Sequence, residues 1–268
     1  MASLSTKQRL IATPYGRRLV AIRDVLRSTY TMFRDPEKAC NLAQDRIYGA
    51  LLPELCPPGG VFVDVGSHIG SVVAAVLAVN PSATVHAIEA VPEKAESIRT
   101  RFPRVTVHAC AVGAQDGSVS FYVDPLRPGY SSLEAKEGRQ KIEIPMRRLD
   151  DIVPRAHVVK IDVEGHELAV LEGATRLVAE CRPIITFESA RYDRAHVLWE
   201  WFNSHGYRIY APDRFRHTAP GLALDAFVDS HHYPRRSTNY LAVPNSAPVP
   251  PVRYRAMDTA DGVTAATA

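Results

Sequence analysis

The spacing of apolar residues changes near residue 60 of the chain. Before that point, apolar side chains recur at helical spacing over 19–26 and again over 42–52, which is typical of amphipathic helices. A proline and glycine cluster, Pro57 to Gly60, ends this region. From Val61 onward, short apolar runs alternate with helix-patterned stretches, the pattern of βαβ units that build a parallel sheet.

These patterns predict three parts: a helical N-terminal extension over 1–58, a mixed α/β domain over 59–245, and a disordered tail over 246–268 that is rich in Pro, Ala and Thr. The predicted sheet strands of the domain are 61–65, 84–90, 105–112, 158–163, 183–189, 207–211 and 239–244. Helices are predicted over 69–79, 92–102, 166–179 and 195–205, and an added antiparallel pair over 118–123 and 141–149.

The order of the last elements narrows the fold further. A strand, a helix, another strand, a connection of about twenty-five residues and a terminal strand fit a sheet whose final strand is inserted antiparallel. This order resembles the sheet of class I methyltransferases, whereas dinucleotide-binding sheets usually lack it. The predicted fold class is therefore α/β: a Rossmann-like class I methyltransferase sheet, mostly parallel with an antiparallel last strand and a helical N-terminal extension.

A glycine turn follows the first predicted strand. Residues 64–70 follow the pattern D-x-G-x-x-x-G, in which Gly66 lets the chain turn tightly and Gly70 allows the next helix to approach closely. This spacing does not fit the G-x-G-x-x-G of dinucleotide-binding sheets. Asp64 would repel a pyrophosphate, whereas it favours the ammonium and sulfonium groups of S-adenosylmethionine. The alternative is a structural turn with a capping aspartate.

The second and third strands supply further candidate cofactor contacts. Glu89 follows Gly70 by about nineteen positions and is placed to accept both ribose hydroxyls of an adenosine. Nicotinamide cofactors use the same device, so Glu89 indicates an adenosine without selecting the methyl donor. The alternative for this residue is a surface carboxylate at a strand end. Ala111 and Val112, at the end of the third strand, are predicted to flank the adenine.

Titratable residues cluster at the end of the fourth strand, in the stretch KIDVEGHE at 160–167. Strand alternation places Lys160, Asp162 and Glu164 on one side, so that the lysine can pair with a carboxylate. Charges at the end of an apolar strand are costly to desolvate unless they are paired or functional. The alternative is a helix N-terminus decorated with acidic residues, which we favour for Glu167.

Methyl transfer to a neutral hydroxyl needs a base, because the oxygen must lose its proton as the new bond forms. The candidates at this edge of the sheet are Asp162, Glu164, His166 and Glu188. We expect Asp162 and Glu164 to orient or deprotonate the acceptor, with Lys160 paired to one of them. Asp162, Glu188 and His166 could together hold a divalent ion. No spacing in the sequence requires such an ion, so no metal site is predicted.

Eight stretches carry a more specific resemblance: FVDVGSHIG, AIEAVPEKAESI, ACAVGAQDGSVSFYV, YSSLEA, RRLDDI, VVKIDVEGHELAVLEGA, PIITFES and NYLAVP. They lie in family order between Val61 and Pro244, and they make the chain similar to the FkbM family of methyltransferases. The resemblance implies S-adenosyl-L-methionine as cofactor and an oxygen acceptor, often a sugar, glycolipid or polyketide hydroxyl. Family members commonly have Ala-Asn where this chain has Ser67 and His68, two residues that stay candidate cofactor contacts.

Composition limits the partners and the compartment. A formal net charge of +3 without a dense Lys/Arg run argues against nucleic acid. No apolar stretch reaches the roughly 18 residues of a transmembrane segment. Four scattered cysteines are expected to be packing residues in a reducing compartment, so we expect a soluble cytoplasmic protein. The helical N-terminal region could cover the active site or form the face of a homodimer.

The predicted function is S-adenosylmethionine-dependent O-methylation of a small-molecule, saccharide or glycolipid/polyketide substrate, as in secondary metabolism. A nicotinamide-dependent oxidoreductase would share the sheet and Glu89, and a non-catalytic Rossmann-like binding protein would share the fold alone. The basic loop over 212–237 is either a solvated face or a lid for an anionic or lipid-linked acceptor.

Overall fold

The computed structural model describes most of the chain between residues 33 and 246. The described residues are 23, 26, 29–31, 33–123, 140–189, 192–215, 220–232 and 236–246. Most of the predicted helix over 19–26 and nearly all of the predicted tail lie outside these residues.

Two sheets are formed by the described part of the chain. In chain order the strands are β1 (Val61–Val65), β2 (Thr84–Ile88), β3 (Thr106–His108), β4 (Ala111–Val112), β5 (Gly117–Val123), β6 (Gln140–Arg147), β7 (Val158–Ile161), β8 (Ile184–Glu188), β9 (Tyr207–Tyr210) and β10 (Asn239–Pro244). Within the described residues, the main sheet has seven strands in the order β3-β2-β1-β7-β8-β10-β9, and the smaller one has the order β4-β6-β5.

The main sheet is parallel except at its last strand. β1 runs parallel to β2 and β7, and β7 runs parallel to β8. β10 is inserted between β8 and β9 and is antiparallel to both. The predicted Rossmann-like sheet with an antiparallel last strand is confirmed, and its carboxyl edge gathers the ends of β1, β2, β7 and β8.

Helices cover both faces of the main sheet. They are α1 (Pro36–Leu51), α2 (Ser71–Val79), α3 (Pro92–Arg101), α4 (Leu149–Ile152), α5 (Glu167–Glu172), α6 (Thr175–Cys181), α7 (Ala195–Ser204) and α8 (Leu224–Asp229). Strand residues alternate between the two layers: Phe62 packs with the side chains of α1, α2 and α3, whereas Val63 packs with those of α5, α6 and α7. Helix α1 confirms that the N-terminal region is helical.

Two predicted elements differ from the structure. The apolar run over 105–112 was predicted as one strand, but only β3 stays in the main sheet, while β4 pairs with β6 of the smaller sheet. The predicted helix over 166–179 is two helices, α5 and α6, that are separated at Gly173. A Cβ at that glycine would lie 2.1 Å from the carbonyl oxygen of Gly113, so two backbones approach closely there.

All four cysteines are unpaired, and Cys56 and Cys110 are buried, as expected for packing residues. In the part of the chain that the structure describes, no helix combines the length and the apolar character needed to span a membrane.

Candidate active site at the carboxyl edge of the sheet

The turn after β1 requires glycine. Gly66, His68 and Gly70 all have positive φ angles, of 82°, 52° and 75°. A Cβ on Gly66 would lie 1.9 Å from the carbonyl oxygen of Asp162, so no side chain fits between the ends of β1 and β7. A Cβ on Gly70 would lie 2.9 Å from the ring of Phe102. The glycine spacing therefore serves a tight turn that brings the backbone against the next strand.

Ser67 closes this turn with its side chain. Its hydroxyl donates to the carbonyl oxygen of Asp64 at 2.7 Å and accepts from the amide of Ile88 at 3.1 Å. The amides of Gly66 and Ser67 both donate to the carbonyl oxygen of Ile88 at 3.0 Å. The Ser67 side chain is thus buried between β1 and β2, while the side chain of His68 is exposed at the edge.

Glu89 lies at the end of β2 beside the same turn. One of its carboxylate oxygens accepts from the amide of His68 at 2.8 Å, and the other accepts from the amide of Val91 at 2.9 Å. The residue is only 6% exposed. Burial raises the pKa of Glu89, and the Val91 amide and the Lys94 ammonium oppose that rise. The carboxylate is fixed by two backbone amides, one from the turn after β1 and one from the segment that follows β2.

Lys160 is the centre of the charges at this edge. Its side chain is nearly buried, and its ammonium lies 3.1 Å from Asp64 Oδ1 and 3.2 Å from Asp162 Oδ2. Burial alone would lower the pKa of Lys160, but the two carboxylates raise it well above its usual value. Asp64 is fully buried, and its Oδ2 has no hydrogen-bond partner among the described residues. Lys160 is therefore a fixed cation between β1 and the end of β7.

Asp162 and Glu188 form a carboxyl pair beside this lysine. Burial would raise the pKa of Asp162, but the Lys160 ammonium and a hydrogen bond with Glu188 lower it overall. Burial and the Asp162 charge raise the pKa of Glu188 to about 8. At neutral pH the pair carries one proton, which Glu188 holds and Asp162 accepts as a hydrogen bond. Two carboxyl groups therefore differ in ionisation because only one of them contacts the lysine.

Three other titratable residues of 160–167 lie outside the ion pairs of Lys160. Glu164 has a φ of 43° and is exposed, and it forms no ion pair with Lys160. Glu167 is buried and accepts from the Gly165 amide at 2.8 Å, as expected for an acid at a helix N-terminus. His166 is the N-cap position of α5. Lys160 therefore forms ion pairs at this edge of the sheet, whereas Glu164 and His166 stay outside that group of charges.

Ala111 and Val112 lie in β4, and both are buried. Their strand pairs with β6 at Met146 and Arg147. The chain reaches them directly after β3, where the carbonyl oxygen of His108 accepts from the amide of Glu89 at 3.0 Å. Ala111 and Val112 thus follow the strand whose end contacts Glu89, but their contact with a cofactor stays a prediction.

Sequence reasoning missed Tyr48 of helix α1. Its hydroxyl donates to Thr186 Oγ1 at 3.0 Å, and Thr186 is the register partner of Lys160. Burial raises the pKa of Tyr48 to about 12, so the phenol stays protonated. Helical spacing predicts that this residue faces inward, but the strand that it contacts is more than a hundred residues away in sequence.

His231 and Lys94 were also missed. The Ser189 hydroxyl lies 2.9 Å from His231 Nε2, and His231 Nδ1 lies 2.8 Å from the carbonyl oxygen of Phe227. Because a carbonyl can only accept, Nδ1 carries the proton and Nε2 accepts from Ser189. His231 is buried, so this part of the basic loop is not a solvated face. Lys94, half-buried near Glu89 and Glu164, places a second cation at the edge.

No set of three or more His, Cys, Asp or Glu side chains is placed to hold a metal ion in the described ranges. His166 is therefore not brought together with Asp162 and Glu188 in the arrangement that a shared ion would need.

Residues 64–209, which carry the whole of this edge, match the Methyltransferase FkbM domain family. The chain is 24% identical to Methyltransferase 1 of Beauveria bassiana, over 55% of this chain and 73% of that protein. It is 31% identical to the hexuronic acid methyltransferase AglP of Haloferax volcanii, over 55% of this chain and 63% of that protein.

Among solved structures, the crystal structure of Methyltransferase FkbM from Methylobacillus flagellatus KT superposes with a TM-score of 0.45 at 23% identity. The superposition covers 71% of this chain and 48% of that chain. This chain thus spans less than two thirds of the length of both AglP and the crystallised protein.

Proposed function

The chain belongs to the FkbM methyltransferase family, and from that premise we propose that it transfers a methyl group from S-adenosylmethionine to a hydroxyl oxygen of a small-molecule acceptor. The observation that carries the proposal is the chain of charges Asp64, Lys160, Asp162 and Glu188 along the carboxyl ends of β1, β7 and β8. Ligands of open α/β sheets bind at that edge. Family membership leaves no support for the nicotinamide oxidoreductase.

The residues present fit the proposed cofactor. Asp64 Oδ2 is a buried carboxylate oxygen to which no described residue donates, and this favours a cationic ligand group. Glu89 holds both carboxylate oxygens at the end of β2, and each oxygen retains a lone pair for a ribose hydroxyl. When bound there, S-adenosylmethionine supplies an electrophilic methyl group. Gly66, Gly70 and the exposed side chain of His68 would border it, whereas Ser67 holds the turn from inside.

The carboxyl pair supplies a base of suitable strength. A base works best when its pKa lies near the working pH, and the pKa of Glu188 is raised to about 8. We assign Glu188, once ionised, to take the proton from the acceptor hydroxyl as the oxygen bonds to the methyl carbon in place of the donor sulfur, which leaves with the bonding electrons. Lys160 keeps Asp162 ionised, and Asp162 then accepts the hydrogen bond of the protonated Glu188. Asp162 and Lys160 position the base, and solvent removes the proton afterwards.

A saccharide is the acceptor class with the most support. One relative is named for hexuronic acid, and a sugar hydroxyl is a neutral oxygen nucleophile that requires a base. We include glycolipid saccharides and polyketide hydroxyls in the proposal, since the reacting group is the same.

The test is transfer of a labelled methyl group from S-adenosylmethionine to a panel of monosaccharides, hexuronic acids and polyols. Asp162→Asn is expected to lower kcat by about 100-fold, because it removes the charge that positions Glu188. Asp151→Asn is the matched control, since Asp151 is an exposed carboxylate on α4 outside the chain of charges. Full turnover by a folded Asp162→Asn protein, or transfer to no hydroxyl acceptor, would remove the mechanism proposed here.

A further inference from the structure

One face of helix α1 is polar although it contacts the rest of the protein: Tyr48 is buried and Asn41 and Gln44 are half-buried, whereas Glu37 and Asp45 are exposed. The residues on this face, spaced at helical periodicity, are Glu37, Asn41, Gln44, Asp45 and Tyr48. We call these five residues the inner face of α1. A helix face that packs on the protein is usually apolar, and α1 supplies apolar contacts through Ile47 and Leu51.

Three contacts hold the inner face over the carboxyl edge. Tyr48 donates to Thr186 of β8, the Asp45 carboxylate accepts from Asn239 Nδ2 at 3.1 Å, and Glu37 forms an ion pair with Arg236. Asn239 is the register partner of Glu188. Because Thr186 and Glu188 are two positions apart on one strand, they point to the same face of the sheet. Helix α1 therefore packs beside the carboxyl edge, on the face of the sheet that carries the side chains of Thr186 and Glu188.

Asn41 and Gln44 lie between these anchored positions. At about 1.5 Å per residue, Asn41 stands about 10 Å along the helix from Tyr48, toward Glu37 and its partner Arg236. The side-chain oxygens Asn41 Oδ1 and Gln44 Oε1 are buried, yet neither has a hydrogen-bond partner among the described residues. A buried polar atom left without a partner destabilises the fold, and folded proteins contain few of them.

We infer that Asn41 and Gln44 form an acceptor subsite that binds hydroxyl groups of a saccharide, next to the hydroxyl that reacts at Glu188. This inference rests on the proposed function, since the methylated hydroxyl defines where the sugar ring must lie. A side-chain amide presents an acceptor and a donor, and a hydroxyl group pairs with either. Two amides three residues apart on one helix face are neighbours and can bind hydroxyls of one ring.

The proposed cofactor is a weaker candidate for the same two oxygens. Its cationic groups are drawn to carboxylates, and the buried carboxylate oxygen of Asp64 lies at the end of β1. A neutral, hydroxyl-rich ligand is instead suited to uncharged amides, which recognise it by hydrogen bonds alone. In this proposal the inner face of α1 recognises the acceptor. Helix α1 lies before the family match, which begins at residue 64.

The test is direct binding of sugars, measured by saturation-transfer NMR in the presence of S-adenosylhomocysteine. The probes are glucose, galactose, rhamnose and glucuronic acid. The double variant Asn41→Leu/Gln44→Met replaces both amides by apolar groups of similar size. It should weaken sugar binding by about tenfold, since two hydrogen bonds are lost. Affinity for S-adenosylhomocysteine should not change, and the Tm should stay equal or rise, because two unsatisfied oxygens are removed.

Ala43→Met is the matched control, because Ala43 is on the exposed face of the same helix. If the double variant unfolds, the single substitution Gln44→Met carries the test. Equal sugar binding by wild type and variant would overturn the subsite and assign the two oxygens to water. Failure of every sugar to bind the wild type would overturn it as well. Sugar binding that depends on these amides, without any methyl transfer, would keep the subsite and remove the proposed function.

Discussion

At the scale of single residues, the site separates two neighbouring carboxyl groups by their surroundings. Asp162 contacts the Lys160 ammonium at 3.2 Å, whereas Glu188 is half-buried beside the Asp162 charge. The first group is held ionised and the second is held protonated until the pH approaches 8. Asp162 is therefore a fixed hydrogen-bond acceptor, and Glu188 is a base whose ionisation depends on pH.

The pH dependence of turnover should report this base. Because Glu188 acts when ionised, kcat/KM of the wild type is expected to rise with pH through an apparent pKa of about 8. Glu188→Gln should remove that rise and lower the rate at pH 9 by about 100-fold. Glu200→Gln, an exposed change on α7, should leave the profile intact. A Glu188→Gln enzyme that keeps the wild-type profile would assign the titration to another group.

Glu188 should also make the stability of the fold depend on pH: raising the pH should increase turnover but lower stability. A carboxyl group whose pKa is higher in the folded protein than in the unfolded chain favours folding at low pH, and this contribution is lost as the pH rises through about 8. The Tm of the wild type should therefore fall from pH 6 to pH 9 by more than that of Glu188→Gln. This comparison checks the raised pKa without an activity assay.

Individual site residues could be predicted where strand alternation decides their placement. Alternation places Lys160 and Asp162 on one side, and the structure brings them together. The contact of Lys160 with Asp64 was not predicted, because it depends on β1 and β7 being adjacent and in register. The direction of the Ser67 hydroxyl could not be predicted, because it depends on the carbonyl of Asp64 and the amide of Ile88 in a turn with positive φ angles. Sequence also could not show that Glu164 adopts a positive φ and leaves the group.

At the scale of elements, the turn between β1 and α2 sets how closely β7 can approach. Gly66→Ala would place a Cβ 1.9 Å from the carbonyl oxygen of Asp162 at a φ of 82°. Because backbone and not a flexible side chain blocks the space, the free energy of unfolding should fall by about 3 kcal/mol or more. Urea unfolding measures this loss.

Gly117→Ala provides the matched control for that substitution. Gly117 begins β5, its φ is not positive, and a Cβ there would meet nothing within 4 Å. The change should alter the free energy of unfolding by about 1 kcal/mol at most. A Gly66→Ala protein as stable as Gly117→Ala would mean that the ends of β1 and β7 separate more easily than the close approach implies.

Periodicity predicted the elements of the main sheet well and their partners less well. The alternation of short apolar runs and helices gave β1, β2, β7 and β8, because buried parallel strands are continuous apolar runs. A continuous run cannot show where a chain leaves one sheet for another, so the division between β3 and β4 was missed. Likewise, the helical spacing of α1 indicates an inward face but not the strands that this face contacts.

At the scale of the whole molecule, the residues inside the family match and those outside it contribute different parts of the site. Residues 64–209 contain the turn, Glu89 and the charged chain from Asp64 to Glu188. Helix α1 and strand β10 lie outside that match, and they meet through Asp45 and Asn239 beside the same edge. We propose that the matched part holds the cofactor and the base, while α1 selects the acceptor.

The most direct test of the central claim is calorimetric titration with S-adenosylhomocysteine. Saturable binding by the wild type is expected, and Glu89→Gln should weaken it by at least about tenfold, because a charged acceptor for ribose hydroxyls is lost. Glu93→Gln, an exposed change in α3, should bind like the wild type. Folded wild-type protein that shows no saturable binding, or a Glu89→Gln protein that binds equally well, would contradict the cofactor site described here.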